Sequence, residues 1–218
     1  MLNGLRDIHP DFRLLQWDGL GQVQTRDLGE LSSSGYLPRL FKAQRVHNLD
    51  RTRIVPDGYE LSARSADDST NSLLLHLRVG AGAADADRYG LPNQVELTIV
   101  LSKDINAMVK MLAELKPILF AIVDAWDVDW GGLYSTGRAT PAGVQSRWRF
   151  SDAWAVYLAE RFASQIVPPA QAVVKRGSNG GLLMMADRDV FIASNPAHVE
   201  AADAIDASLT PLRPWPEC

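Results

Sequence analysis

The stretch from about Asp104 to Trp126 constrains the fold of this chain most, because its apolar residues recur at alternating spacings of three and four. Such spacing keeps them on one side of a helix, which at this length is about 30 Å long. The opposite side is mostly polar or small, so we predict that the helix covers a core with one side only. The apolar stripe consists of Ile105, Met108, Leu112, Leu115, Leu119, Ile122 and Trp126.

Pro117 interrupts this stretch, and an interior proline destabilises a helix by about 3 kcal/mol. Each stripe residue stabilises by about 1.5–3 kcal/mol when it is buried, and together they outweigh that cost. Because Pro117 lies opposite the stripe, we predict one helix that bends around a core, rather than two helices that break at Lys116. Ser102 or Asp104 can cap the first turn.

Three runs before the helix alternate apolar and polar residues with a period of two. This pattern is typical of antiparallel strands with one face in water and one face against a core. We predict a three-stranded meander over residues 58–101, and we expect the helix at 104–126 to cover its dry side. Residues 1–50 are predicted to form a helical part, with a first helix over residues 1–17 that breaks or kinks at Pro10, an irregular connection over Asp18–Ser34 and a second helix over Leu37–Leu49.

Further strands are predicted over residues 129–193. The run around Trp154 fits either period, and we interpret it as a strand through Leu158 followed by a helical turn. A glycine-rich segment then forms a hairpin, because its Asn-Gly pair at 179–180 supplies the positive φ that tight turns need. A last helix over 195–210 opens on an asparagine cap followed by a proline.

Composition places the chain among ordinary globular proteins, with 46% hydrophobic and 22% charged residues in a length of 218. We predict an α+β fold in a single domain over 1–218, with a mainly antiparallel twisted sheet covered on one face by the long kinked helix and the C-terminal helix. A net charge of −4 argues against nonspecific nucleic-acid binding. We predict a cytoplasmic protein with no membrane segment. The sequence has one cysteine, starts without a basic and apolar leader, and contains no long uncharged apolar run.

An acidic run at the end of the long helix is the sharpest candidate for chemistry. Asp127 and Asp129 are two residues apart, and such a pair can share a divalent cation with the phosphates of a substrate. A metal-dependent transferase or hydrolase is therefore one hypothesis. Acidic side chains are mildly unfavourable at a helix C-terminus, so a contact surface that includes Asp124 is another. Solvated residues at a junction are the simplest interpretation.

Other catalytic patterns do not occur in the sequence. The four histidines are scattered without the spacing of a zinc site. There is no phosphate-binding P-loop, no Gly-x-Gly-x-x-Gly opening a helix after a strand, and no Gly-x-Ser-x-Gly elbow. We therefore expect a protein that is not an enzyme and that needs no cofactor.

The tryptophan-rich junction after the long helix resembles the signature of a known family. The order Trp126, Asp127, Asp129, Trp130 and Gly131 resembles the Trp-Asp-x-Asp-Trp-Gly signature of the immunity protein 52 family. The similarity continues in order through most of the chain. Its further residues are Trp154, Tyr157, Leu158, Gly180, Gly181, Leu182, Ala186, Asp187, Phe191, Asn195, Pro196, His198 and Val199, with His9, Pro10 and Phe12 near the start.

The resemblance implies a bacterial antitoxin that binds a secreted nuclease-type toxin, typically one delivered by type VI secretion, and that performs no chemistry itself. Similar proteins start with an aromatic, glycine-containing strand that this sequence lacks, which leaves open a missing edge strand or a start assigned late. Since nucleases present a basic substrate groove, acidic residues are the candidate contacts to the toxin. These residues are Asp124, Asp127, Asp129, Glu200, Asp203 and Asp206.

Overall fold

A computed structural model describes residues 2–17, 24–27, 45–47, 54–65, 69–79, 94–126, 128–135, 153–177 and 179–212. The chain divides into two compact units, Met1–Glu114 and Leu115–Glu217. Both units combine antiparallel sheet with helix, so the α+β class is confirmed. The single domain over 1–218 stays a prediction.

The first unit contains one antiparallel sheet of six strands. Its strands run in the order β2-β1-β4-β5-β6. The short strand β3 pairs with the first half of the long strand β4, and β1 pairs with the last residues of β4. A short helix and a 3₁₀ turn precede the sheet. The elements are α1 (Leu2–Ile8), the 3₁₀ turn (Pro10–Phe12), β1 (Leu14–Trp17), β2 (Gln24–Asp27), β3 (Arg45–His47), β4 (Ile54–Ser65), β5 (Ser72–Val79) and β6 (Gln94–Val100).

The predicted meander is confirmed as the antiparallel strands β4, β5 and β6. In β5, Leu73, Leu75 and Leu77 are buried, whereas Leu74 between them is 48% exposed. The register pairs Leu61 with Leu77 and Leu75 with Leu97, so the apolar positions of neighbouring strands share one face of the sheet. The period of two therefore identified both the strands and their dry face.

The predicted helical part over residues 1–50 is wrong in most of its described positions. The first helix, predicted over residues 1–17, is confirmed only over Leu2–Ile8, and its predicted later part contains a 3₁₀ turn and the strand β1; β2 and β3 are also strands. Of the helix predicted over Leu37–Leu49, the described residues 45–47 form β3, and the remainder lies outside the described residues. The physical reason is that strand pairing depends on residues elsewhere in the sequence. Because β1 lies between β2 and β4, its backbone hydrogen bonds are made with residues outside the local pattern.

The long helix α2 runs unbroken over Ile105–Trp126 with Pro117 inside it, which confirms one helix rather than two. Of the two candidate caps, Asp104 caps the helix, because its carboxylate accepts the N–H of Ala107 at 2.9 Å, whereas Ser102 Oγ accepts the N–H of Asp104 at 3.1 Å in the turn before the helix. Within the described part of the chain, no helix is long and apolar enough to cross a bilayer.

The buried side of α2 differs from the predicted stripe. Ile105 belongs to that stripe but is 71% exposed. The buried set includes residues that lie beside the stripe as well as Leu119, which belongs to it. The buried residues of the helix are Met111, Ile118, Leu119 and Val123.

The second unit is built on a four-stranded antiparallel sheet in the order β7-β8-β10-β9. Its elements after the long helix are β7 (Trp130–Tyr134), β8 (Ala153–Leu158), a helical turn α3 (Glu160–Ala163), β9 (Val173–Arg176), β10 (Leu182–Met185), α4 (Pro196–Ser208) and a 3₁₀ turn (Thr210–Leu212). The predicted strand at Trp154 with a helical turn after it, the hairpin and the last helix are confirmed. The single predicted sheet is wrong, because the strands form two sheets.

Helices α2 and α4 pack on opposite faces of this sheet, not on one face as predicted. A Cβ added to Gly131 of β7 would lie 3.1 Å from Leu119 of α2, and Gly131 pairs with Tyr157. On the other face, Ser208 of α4 contacts Met184, which pairs with Val156. All six residues of β8 are consequently buried, which explains why its sequence showed no clear period.

Candidate functional site

A cavity of about 200 Å³ opens in the second unit, between the end of α2 and the hairpin that joins β9 to β10. The helix contributes an aromatic ring, an aliphatic group and a carboxylate, and the sheet and hairpin contribute a phenol, an amide and exposed backbone. The described lining residues are Phe120, Val123, Asp124, Tyr157, Gly177 and Asn179. Aromatic walls and a few convergent polar groups are typical of a binding site.

The wall of the cavity that α2 forms is positioned by close packing of this helix on β7. Gly131 lacks a side chain where Leu119 Cδ1 approaches, so the last turns of α2 can lie directly on β7. Leu119 and Val123 then join the core of the unit. Asp124, the next residue, is exposed and lies at the rim.

Tyr157 forms the floor of the cavity and is only 3% exposed. Its hydroxyl accepts a hydrogen bond from Asn179 Nδ2 at 2.9 Å. A Cβ at Gly181 would lie 2.4 Å from that hydroxyl, so only glycine leaves room for the phenol at this position. The ring of Tyr157 is therefore held from two sides.

The hairpin turn is held by its own hydrogen bonds. Asn179 Oδ1 accepts the N–H of Gly181 at 3.0 Å, and the N–H of Gly177 donates to the carbonyl of Gly181 at 2.8 Å. Gly180 has a φ of +77°, as predicted for the Asn-Gly pair. Since the same asparagine bonds the turn and the phenol, the wall and the floor of the cavity are ordered together.

The two described residues of the predicted acidic run have different surroundings. Asp124 lies at the cavity rim, whereas the carboxylate of Asp129 forms an ion pair with Arg161 of α3. The Asp129 carbonyl also accepts the N–H of Ala159 at 2.9 Å. Asp127 lies outside the described residues, so the Asp127 and Asp129 metal pair stays a prediction. Among the residues that the structure describes, no three His, Cys, Asp or Glu side chains are grouped so that they could hold a metal ion.

The acidic residues of α4 point outward as predicted. Glu200 and Asp203 are exposed and Asp206 is half-buried, while Ala202 and Ile205 on the other side of the helix are buried. Asp203 and Asp206 make further contacts within the structure. Because α4 and α2 lie on opposite faces of the sheet, the acidic side of α4 and the carboxylate of Asp124 belong to separate surfaces.

No sequence pattern connects Asp187 with His198, but the two side chains meet in the folded chain. The backbone N–H of Ile192 donates to His198 Nδ1 at 3.0 Å, and His198 Nε2 lies 3.4 Å from Asp187 Oδ2. The ring of Phe191 lies next to His198 and stacks on Trp154. Both polar residues occur in the family resemblance, but only the folded chain brings them together across the loop before α4.

The pKa of Asp187 is lowered by these contacts. Burial raises the pKa, but hydrogen bonds from the N–H groups of Asp189 and Val190 and the charge of His198 together outweigh that effect. Asp187 and His198 therefore hold the loop before α4 in place, on the face of the sheet opposite the cavity, and their role is structural.

Comparison of the sequence with protein-family models and with curated proteins finds no match.

Proposed function

We propose that this protein is an immunity protein that binds a secreted nuclease-type toxin and neutralises it in the bacterial cytoplasm. The observation that carries the proposal is the cavity beside α2, which combines a preorganised floor, aromatic walls and the carboxylate of Asp124. Such a recess suits recognition of a partner group. The resemblance to the immunity protein 52 family supplies the class of partner.

The charge of the chain supports the same class of partner. A nuclease presents a basic groove to its substrate, and an inhibitor with a net charge of −4 is attracted to it. Asp124, Glu200 and Asp203 are exposed in the second unit, so their charges can act on an approaching partner. Complementary charges raise association rates and fix orientation more than they raise affinity.

The size of the cavity also favours recognition of a protein over a metabolite. Sites for small-molecule ligands occupy about 300–1,000 Å³. The cavity here has about 200 Å³, which is small for a nucleotide but suited to one side chain of a partner. Protein interfaces commonly anchor one or two large side chains in recesses of this kind.

Coexpression with the product of the neighbouring reading frame tests the proposal. The C-terminal domain of that product, produced alone in a bacterial host, should arrest growth and degrade DNA, and this chain should restore growth. Titration calorimetry with a catalytically inactivated toxin should then give a saturable complex. Equal killing with and without this chain, or no complex at micromolar concentrations, would overturn the proposal. A nuclease toxin from an unrelated system is the matched control and should not be neutralised.

A further inference from the structure

The geometry of the cavity points to one arginine side chain of the partner protein as its ligand. We propose that Phe120 and Asp124 receive the guanidinium group above the buried Tyr157 floor, and that this arginine anchors the toxin to the second unit. The inference rests on the proposed function for the identity of the partner. The chemistry of the pocket is argued from the cavity alone.

The charges around the cavity favour a cation. Asp124 is the one charged group among the described lining residues, and within the described part of the chain no cation pairs with it. It lies in the last turn of α2, where the final carbonyls lack partners within the helix and carry the negative end of the helix dipole. A carboxylate at this position is mildly unfavourable until a cation lies beside it.

The half-buried ring of Phe120 favours arginine over lysine. It lines the cavity beside Asp124, and a flat guanidinium stacks on such a ring while its N–H groups remain free to bond a carboxylate. Lysine offers a compact, strongly hydrated charge that gains less from such a ring. Asp124 can accept two parallel N–H groups of a guanidinium, which adds directional specificity.

The pocket is ordered before the ligand arrives, which reduces the entropy lost on binding. The bond from Asn179 to the Tyr157 hydroxyl and the glycine at 181 hold the phenol in place. Asn179 also holds the turn that carries Gly177. Ordering of contact groups in advance raises affinity without any new contact.

Nuclear magnetic resonance titration with Nα-acetyl-arginine amide tests the pocket without the toxin. We expect saturable shifts of the Asp124, Gly177 and Asn179 amides, with a dissociation constant of roughly millimolar size. The citrulline analogue has the same shape without the charge and should bind at least about tenfold more weakly. Asp124→Asn should weaken arginine binding by about the same factor, whereas the exposed control Asp189→Asn should not change it.

Nα-acetyl-lysine amide carries the same charge without the flat guanidinium and should bind more weakly than the arginine compound. Three outcomes would overturn the arginine pocket: no shifts near Asp124, equal binding of the citrulline analogue, or equal binding of the lysine compound. If the toxin is nevertheless neutralised in the coexpression assay, the proposed function stands and only the pocket fails. If arginine binds at Asp124 but the toxin kills regardless, the proposed function fails, and the role of the arginine as toxin anchor fails with it. If both proposals hold, a double-mutant cycle between Asp124→Asn and single arginine substitutions in the toxin shows one strongly coupled pair, and the absence of any coupled arginine would overturn the anchor.

Discussion

Asp11 accepts two hydrogen bonds from Asn71, which lies 60 positions away in the sequence: the backbone N–H donates at 3.0 Å and the side-chain amide at 2.9 Å. Asn71 is 1% exposed, and every polar group it carries is bonded. Its Oδ1 accepts the N–H of Ser102, and its carbonyl accepts the hydroxyl of Ser65. One buried residue thus joins the segment after α1, the end of β4 and the approach to α2.

Asn71→Ala should lower the free energy of unfolding by about 2–3 kcal/mol, because the buried Asp11 carboxylate loses its side-chain donor and keeps only the backbone N–H, and the Ser102 N–H loses its acceptor. Urea denaturation followed by circular dichroism measures the change. Asn106→Ala is the control, since Asn106 is exposed on α2 and its replacement should alter stability by about 0.5 kcal/mol or less. Equal effects of the two changes would contradict the role of Asn71.

Gly181→Ala should destabilise the second unit more than Gly131→Ala. The new methyl group at 181 would lie 2.4 Å from the buried Tyr157 hydroxyl, whereas at 131 it would lie 3.1 Å from a terminal methyl of Leu119 that can rotate away. Overpacking of this kind typically costs about 1–3 kcal/mol, and we expect Gly181→Ala at the upper end. Thermal unfolding of both variants gives the ranking, and the reverse order would show that Tyr157 is free to move.

Asp187 should contribute stability that disappears in acid. Its folded pKa lies below the ordinary value of 3.8, so the unfolded chain binds this proton more readily than the folded chain. The contribution is therefore present above about pH 4 and is lost as the pH falls through the folded pKa. Urea midpoints measured from pH 6 to pH 3 should show a loss that is smaller in Asp187→Asn than in the natural protein. Asp189→Asn, two residues away and exposed, should retain the full loss.

Millimolar Mg²⁺ should leave the melting temperature unchanged, because Arg161 already pairs with the carboxylate of Asp129. A metal that binds only the folded chain must raise that temperature with its concentration. A concentration-dependent rise would favour the transferase or hydrolase hypothesis at Asp127 and Asp129. Arg161→Gln is the companion variant. If Mg²⁺ raises the melting temperature of this variant more than that of the natural protein, the metal binds at Asp129.

Charge reversal should distinguish the two acidic surfaces of the second unit. Since Asp124 and Glu200 lie on opposite faces of the sheet, one interface of standard size, about 800 Å² on each partner, centres on one of them and not on both. We expect Asp124→Lys to slow toxin association by about tenfold at low salt and Glu200→Lys to slow it much less. Stopped-flow association rates measure this, and the opposite ranking would move the interface to α4.

Local patterns specified several elements of this protein correctly. The alternation of Leu73, Leu75 and Leu77 identified a strand and its buried face, and the spacing from 105 to 126 identified the long helix in spite of its proline. Asp104 and Asn195 capped the helices that they were expected to cap. These features depend on hydrogen bonds and side-chain periods within a few residues, so a single sequence contains the information that they need.

Tertiary structure alone decided the rest. The sequence did not show that Leu14–Trp17 pairs between two other strands, that α2 and α4 cover opposite faces, or that Asn179 fastens Tyr157 under a cavity beside Asp124. The tie between Asp11 and Asn71 was equally invisible. Each of these relations joins groups that are far apart in the chain, and their partners are chosen by how the sheets and helices pack, which no local period or cap encodes.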